Sequence, residues 1–176
     1  MHTSVREAIL ETEYRPARTG EMDVIYLMGI DAWAEGGDVG AYLEGCRQSI
    51  KYKSGQWVVL TAEGRPVSSL LIHRFEPWGG YVVRGIGSVA TEPSSRRRGY
   101  GQELVRRAIE DLSLRHRAAV FLLYSDIGEA FYERLRFFGL PDNYQRRAGS
   151  TLMAKLDPGV ARGIFEANRS RIPGYF

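Results

Sequence analysis

Thr91-Glu92-Pro93-Ser94-Ser95-Arg96-Arg97-Arg98-Gly99-Tyr100-Gly101-Gln102 decides the fold of this chain. Upstream, Tyr81 to Thr91 reads as a long strand with two internal glycines, Gly85 and Gly87, which invite a bulge or a splayed neighbour. Downstream, from Gly99, Leu104, Ala108 and Leu112 form one apolar line and Val105 and Ile109 a second beside it. Glu103, Arg106, Arg107, Glu110 and Asp111 face water, so the spacing predicts an amphipathic helix. A loop between strand and helix leaves the first backbone N–H groups of the helix without intrahelical partners, at the positive end of its dipole. Those donors suit a pyrophosphate. Gly99 and Gly101 let the backbone approach phosphates with no Cβ in the way, and the three arginines add charge-assisted contacts.

Farther along, Ala118 to Tyr124 is a continuous apolar run with the pattern of a strand buried on both faces, followed by a short helix around Glu129 to Leu135. A last strand pair is expected within Asn143 to Leu156, with Arg147-Ala148-Gly149-Ser150 as its turn. Asp157 as N-cap and Pro158 at the first helical position then predict a tail helix carrying Val160, Ile164 and Phe165. Toward the amino terminus, Trp57 to Ala62 and Val67 to Phe75 read as a hairpin around Glu63-Gly64-Arg65-Pro66. Before it come a strand at Glu13 to Ala17, a helix from Gly20 to about Gly36-Gly37, and a second helix from Val39 to Tyr52. The order β-α-α-β-β-β-α-β-α-β-β-α predicts an α/β domain on one mixed sheet.

The 176 residues, 44% of them hydrophobic, fit one domain around one core, here about 12–156 with a helical tail over 157–176. No apolar run is long enough to cross a bilayer, and the acidic amino terminus does not read as a signal peptide, so a cytoplasmic location is expected. The single cysteine, Cys46, has no partner for a disulfide or a metal site and reads as helix filler. Net charge is only +3, which argues against a nucleic-acid partner, yet residues 1–87 carry 9 bases and 11 acids while residues 88–176 carry 15 and 10. The positive half is the one with the phosphate-binding loop. Gly85-Ile86-Gly87-Ser88-Val89-Ala90 imitates a dinucleotide fingerprint, but the helix that reading requires is blocked by Thr91-Glu92-Pro93.

The spacing Arg96-x-x-Gly99-x-Gly101, between strand and helix, resembles the Q/R-x-x-G-x-G/A signature of the GNAT (GCN5-related N-acetyltransferase) superfamily. A second block, Leu122 to Leu135 with Phe131-Tyr132 in register, is similar to that family's N-x-x-A-x-x-F-Y-x-x-L-G-F strand and helix. Ser125 stands where the family has Asn, Gly128 replaces Ala, and Arg136 replaces a Gly. The likeness is good over about 57–138 and follows element order over most of 12–156. It implies the GNAT fold, a mixed, mostly antiparallel sheet flanked by helices whose splayed strand pair receives acetyl-CoA, and direct transfer of the acetyl group to a primary amine.

By the same resemblance Arg96, Arg97, Arg98, Gly99, Tyr100, Gly101 and Gln102 hold the pyrophosphate, with Ser125 and Phe131 nearby. Val89, Ala90 and Thr91 meet the pantetheine and supply the N–H that polarises the thioester carbonyl. Tyr132 stands near the sulfur as general acid. The family's catalytic Glu is absent around Gly85, which leaves His73 or Glu92 as candidate base. No metal is implied. The acceptor, a small-molecule or peptide amine, approaches from residues 24–54 and the last hairpin, where Asp31, Glu35, Asp38 and Glu44 would suit a cationic amine. Neither nucleic acid nor membrane is expected as partner, and a homodimer stays open. The alternative is a non-catalytic acyl-CoA sensor or partner-binding module, which would keep the loop and dispense with Tyr132 and a base.

Overall fold

The computed structural model describes residues 11–34 and 36–176. Its strands are β1 (Glu13–Pro16), β2 (Gln56–Ala62), β3 (Arg65–Trp78), β4 (Tyr81–Thr91), β5 (Ala118–Ser125), β6 (Phe138–Gly139) and β7 (Thr151–Leu156), hydrogen-bonded in the order β1-β2-β3-β4-β5-β7-β6. β4 and β5 run parallel, whereas β1–β2, β2–β3, β5–β7 and β6–β7 are antiparallel. The helices are α1 (Met22–Leu27), α2 (Ile30–Trp33), α3 (Val39–Gln48), α4 (Ile50–Ser54), α5 (Tyr100–His116), α6 (Ala130–Glu133) and α7 (Ile164–Ala167). The result is the expected mixed, mostly antiparallel sheet flanked by helices. A parallel pair needs a crossover, and α5 supplies it between β4 and β5. Among the described residues no helix is long and apolar enough to cross a membrane.

The chain packs as two compact units, one formed by residues up to Ile72 with Ser88–Ala108, the other by His73–Gly87 with Ile109–Phe176. In the first unit Ile25, Tyr26, Cys46 and Val59 make a buried cluster, on which Tyr26 and Tyr52 stack at 5.6 Å with Trp57 edge-on to both. In the second, every residue of β5 is buried, and Trp78, Leu122, Leu140, Leu152 and Phe165 share one core. Burial of about ten such apolar side chains, at roughly 1.5–3 kcal/mol each, is what holds a unit of this size together.

Four local expectations change. The first predicted helix is two short ones, because the Trp33 ring lies so close over Gly29 that a Cβ there would fall inside it. The second breaks at Ser49, whose hydroxyl accepts from the Tyr52 N–H and caps α4. β7 pairs with Phe138–Gly139 rather than with a strand after Asn143. Past Pro141 the Gln145 side chain stands in for strand backbone, donating to the carbonyls of Leu140 and Leu152 and accepting from the Leu152 N–H. The tail helix starts at Ile164 instead of Asp157, since the Asp157 N–H donates to the Ala119 carbonyl at 2.8 Å and its own carbonyl closes a turn with Val160.

Gly85 and Gly87 also serve a purpose other than bulging. A Cβ at Gly85 would lie 2.5 Å from Phe176 and 2.6 Å from Phe75, so the bare backbone makes room for two rings. The backbone irregularity of β4 lies elsewhere: its register against β5 shifts between Val82 and Val83, and Ser88 has φ +48°. The β4–β5 ladder covers Val82–Gly85 against Ala118–Leu122, and β4 runs on to Thr91.

Candidate functional site

The end of β4 is fixed by its neighbour in the first unit. Ser68 on β3 donates to the Ala90 carbonyl at 2.8 Å and shares a hydrogen bond with the Thr91 hydroxyl, and the Glu92 N–H donates to the Val67 carbonyl. A 3-10 turn at Pro93–Ser95 follows. Arg97 (φ +63°) and Gly99 (φ +83°) then adopt left-handed conformations on either side of Arg98. Alternating handedness turns successive N–H groups to one side and makes a concave anion-binding nest. The first intrahelical bond of α5 is Glu103 N–H to Gly99 carbonyl at 3.0 Å. The N–H groups of Tyr100, Gly101 and Gln102 therefore precede the helical ladder and extend the nest. Arg97 is a non-glycine residue in a conformation that costs of order 1–2 kcal/mol, strain of the kind stored where backbone geometry is needed for binding.

Arg96 does not project into this nest. Its Nη1 and Nη2 donate as a fork to Asp31 at 2.5 and 2.7 Å, Nη2 also donates to the Met28 carbonyl at 3.1 Å, and Nε donates to the Thr91 carbonyl at 3.0 Å. The hydrogen bond from Arg96, ahead of the opposing desolvation, holds the Asp31 carboxyl below the usual range. This one side chain ties the α1–α2 corner to the end of β4 and the start of the loop. Asp31 is thereby spent on Arg96, Glu44 on Gln48 and Arg47, and Asp38 on capping α3 through the Ala41 N–H. Glu35 lies outside the described residues. Three of the four acids expected to receive a cationic acceptor, Asp31, Asp38 and Glu44, are thus engaged within the protein.

In the second unit Tyr132 is buried, with its ring edge-on to Phe131 at 4.8 Å and to Phe137 at 6.0 Å. Burial, with smaller contributions from Asp126 and Tyr175, pushes its phenol pKa well up, so it is protonated at any physiological pH. Ser125 is buried and its hydroxyl donates to the Gly128 carbonyl at 2.5 Å, closing the turn in which Gly128 takes φ +82°. His73 is buried on β3, stacked on Phe75 and edge-on to Phe176 at 5.1 Å. Glu92, in the first unit, accepts the Ser94 hydroxyl at 2.5 Å. That bond, followed by one from Ser95, lowers its pKa and makes it a weaker base than an ordinary glutamate. Among the described residues no group of three or more His, Cys, Asp or Glu side chains is placed to hold a metal ion.

The nest at Arg97–Gly101 is where the sequence signature lies, and residues 22–137 match the acetyltransferase (GNAT) family. The chain belongs to the GNAT acetyltransferase family. No curated protein matches it. Solved structures share the fold of this GNAT chain at low identity. The ribosomal-protein-S18-alanine N-acetyltransferase from Escherichia coli is 17% identical, with 85% of this chain and 99% of that one covered and a TM-score of 0.57. A GNAT family acetyltransferase from Brucella melitensis, in complex with acetyl-CoA, is 18% identical over 84% of this chain and 91% of that one, with a TM-score of 0.54. A probable N-acyltransferase from Enterococcus faecalis is 18% identical over 72% of this chain, at a TM-score of 0.57. The GNAT chain spans only 32% of that last protein's length.

Three residues with a part in the arrangement had no signal of that part in the sequence. Ser68 is a small polar residue in an apolar strand, which reads as nothing more than a tolerated hydroxyl. Asp31 reads as one of the acids suited to a cationic amine and not as a partner of Arg96, which lies 65 positions away. Phe176, against Phe75, His73 and the Gly85–Gly87 backbone, carries no periodic pattern that would mark it as packed.

Proposed function

We propose that the protein transfers the acetyl group of acetyl-CoA to a primary amine, with the donor's pyrophosphate held by the Arg97–Gln102 backbone. The observation that carries this is the left-handed pair Arg97 and Gly99 opening α5, whose geometry is strained for a non-glycine residue and turns backbone N–H groups toward one side, as an anion requires. Arg97 and Arg98 are exposed and add charge-assisted contacts, while Arg96 positions the loop through Asp31. Val89, Ala90 and Thr91 carry the pantetheine, and a backbone N–H among them stabilises the oxyanion that develops on the thioester carbonyl, an effect of about 3 kcal/mol for one donor.

The thioester supplies an activated acyl carbon. The amine lone pair attacks it, the C–S bond breaks, and the amine gives up one proton to a base. His73 or Glu92 takes that proton, and Glu92, which accepts the Ser94 hydroxyl, is a weaker base than an ordinary glutamate. Tyr132 donates its hydroxyl proton toward the departing sulfur. A thiol near pKa 8.5 is a stronger acid than even an ordinary phenol near 10, by about 1.5 units, so the phenol acts chiefly as a hydrogen-bond donor to the thiolate. Incubation with acetyl-CoA and a panel of primary amines, read by thiol release and by the mass of the acetylated amine, tests the proposal. Thiol release matched by an N-acetyl product is expected. Tight acetyl-CoA binding with no product from any amine would instead favour the non-catalytic sensor.

A further inference from the structure

In the second unit, two glycines of β4 form a seat for the end of the chain. The β4–β5 pairing ends at Gly85 opposite Leu122. A Cβ at Gly85 would lie 2.5 Å from the Phe176 ring, and one at Gly87 would lie 3.2 Å from His73 Nε2 and 3.3 Å from the Phe176 backbone oxygen. Glycine inside a strand weakens it and marks the close approach of a ligand or another backbone. Here the approaching group is the protein's own tail. The Phe176 ring stands edge-on to Phe75 at 5.0 Å, to His73 at 5.1 Å and to Tyr124 of β5 at 5.6 Å. With Phe75 stacked on the imidazole as well, His73 is buried under two phenyl rings.

The tail is fastened at a few points only. Residues 173–176 form neither helix nor strand. The Tyr124 hydroxyl donates to the Pro173 carbonyl at 3.0 Å, the Tyr175 hydroxyl donates to Asp126 at 2.8 Å, and the Arg147 guanidinium lies 3.8 Å from the centre of the Tyr175 ring. Asp126 is itself held in place, since it also accepts the Ser150 hydroxyl. The bond to Asp126 lies at the surface, and Tyr175 is 38% exposed. Segments fastened by solvent-exposed hydrogen bonds open locally, well below the free energy of global unfolding. Opening is also what chemistry at His73 requires, because a base must come within about 2.6–3.2 Å of the group whose proton it takes.

We infer that residues 173–176 are a strap that gates His73. Fastened, it shuts the imidazole off from an acceptor amine, and it lifts away from Gly85 and Gly87 before the amine can give up its proton there. The inference concerns regulation of the proposed site and rests on the acetyl-transfer reading with His73 as the base. Carbethoxylation by diethyl pyrocarbonate, located on each histidine by mass spectrometry, reads access to His73 without any acceptor, and the exposed His116 is the internal reference. Where opening and closing are fast, modification follows the population of the open form. Tyr175→Phe removes the hydroxyl bonded to Asp126 and keeps the ring beside Arg147. It should speed modification of His73 about fivefold, the worth of one exposed hydrogen bond, with the His116 rate and the melting temperature unchanged. Phe176→Ala should speed it by about tenfold or more. In the thiol-release assay with the panel of primary amines, Tyr175→Phe should lower the acceptor KM by up to the same fivefold, since apparent affinity scales with the open fraction, while acetyl-CoA affinity stays as in the native protein. His73 modified no faster in Tyr175→Phe than in the native protein, or a raised acceptor KM, would overturn the strap and leave acetyl transfer standing. Failure of the native protein to bind acetyl-CoA would overturn acetyl transfer, with the His73 rates still deciding whether the tail opens.

Discussion

Arg96 can be read as a phosphate ligand or as a latch, and the substitution Asp31→Asn separates the two. The Arg96–Asp31 fork is partly exposed, with side chains 40% and 51% accessible, so its Coulombic share is small, about 0.2–1 kcal/mol. The remaining two bonds, to the Met28 and Thr91 carbonyls, fix the loop to the α1–α2 corner and survive in Asp31→Asn. If the latch orders the loop for binding, Asp31→Asn weakens acetyl-CoA by at most about fivefold, because the ligand must then drive part of the ordering. Arg96→Ala removes all four bonds. At about 0.5 kcal/mol each, the lower end of the usual range and fitting for partly exposed bonds, the loss comes to about 2 kcal/mol, or roughly 30-fold in affinity. Arg96→Lys should resemble Arg96→Ala, since an ammonium cannot reproduce the fork. Calorimetric titration of the three variants with acetyl-CoA, beside their melting temperatures, reads these effects. Tighter binding by Asp31→Asn would refute the reasoning, for that is what a phosphate-binding arginine released from its carboxylate would give.

Other outcomes follow from the same contacts. Tyr132→Phe should lower kcat by about 10–100-fold with acetyl-CoA affinity unchanged, the worth of one hydrogen bond to a charged atom; steady-state kinetics and titration check it, and unchanged kcat would remove Tyr132 from the reaction. Gly85→Ala should cost about 1–3 kcal/mol, because its Cβ would press on Phe75 and Phe176, and denaturant unfolding measures this. The Arg15 hydrogen bond holds the Glu21 carboxyl down to about 2, well below its unfolded value. A depressed carboxylate stabilises the fold above about pH 4.5, and that contribution is lost as pH falls toward 2. Glu21→Gln should therefore lower the melting temperature at pH 7, and its melting curve should lose part of the native protein's decline between pH 5 and pH 2.

The donor loop was legible because its information is local. A strand, two glycines three arginines from a turn, and a helix with a clean apolar face sit within 36 consecutive positions, and each element matches its reading: β4 spans Tyr81–Thr91 and α5 opens at Tyr100. β5 was legible for the same reason, a run buried on both faces. What failed was decided by partners distant in sequence. The end of the chain could not be read because Gln145 replaces strand backbone with a side-chain amide, and because Asp157, a plausible N-cap, instead continues bonding to β5. Nothing local marks Gly29 as a helix break, and only the fold lays the Trp33 ring over it. Arg96 belongs to a motif that names its place but not its partner, and only the fold brings Asp31 to it.

The central claim is that the Arg97–Gln102 backbone at the start of α5 binds the pyrophosphate of acetyl-CoA. Titrating the native protein with acetyl-CoA in a calorimeter, beside Gly101→Glu, tests it most directly, because the variant sets a carboxylate among the N–H groups of the nest and leaves the core of α5 alone. Saturable binding at one site by the native protein, lost in a Gly101→Glu protein that still melts cooperatively, is the predicted result. Absence of binding by the native protein, or equal binding by both, would contradict it.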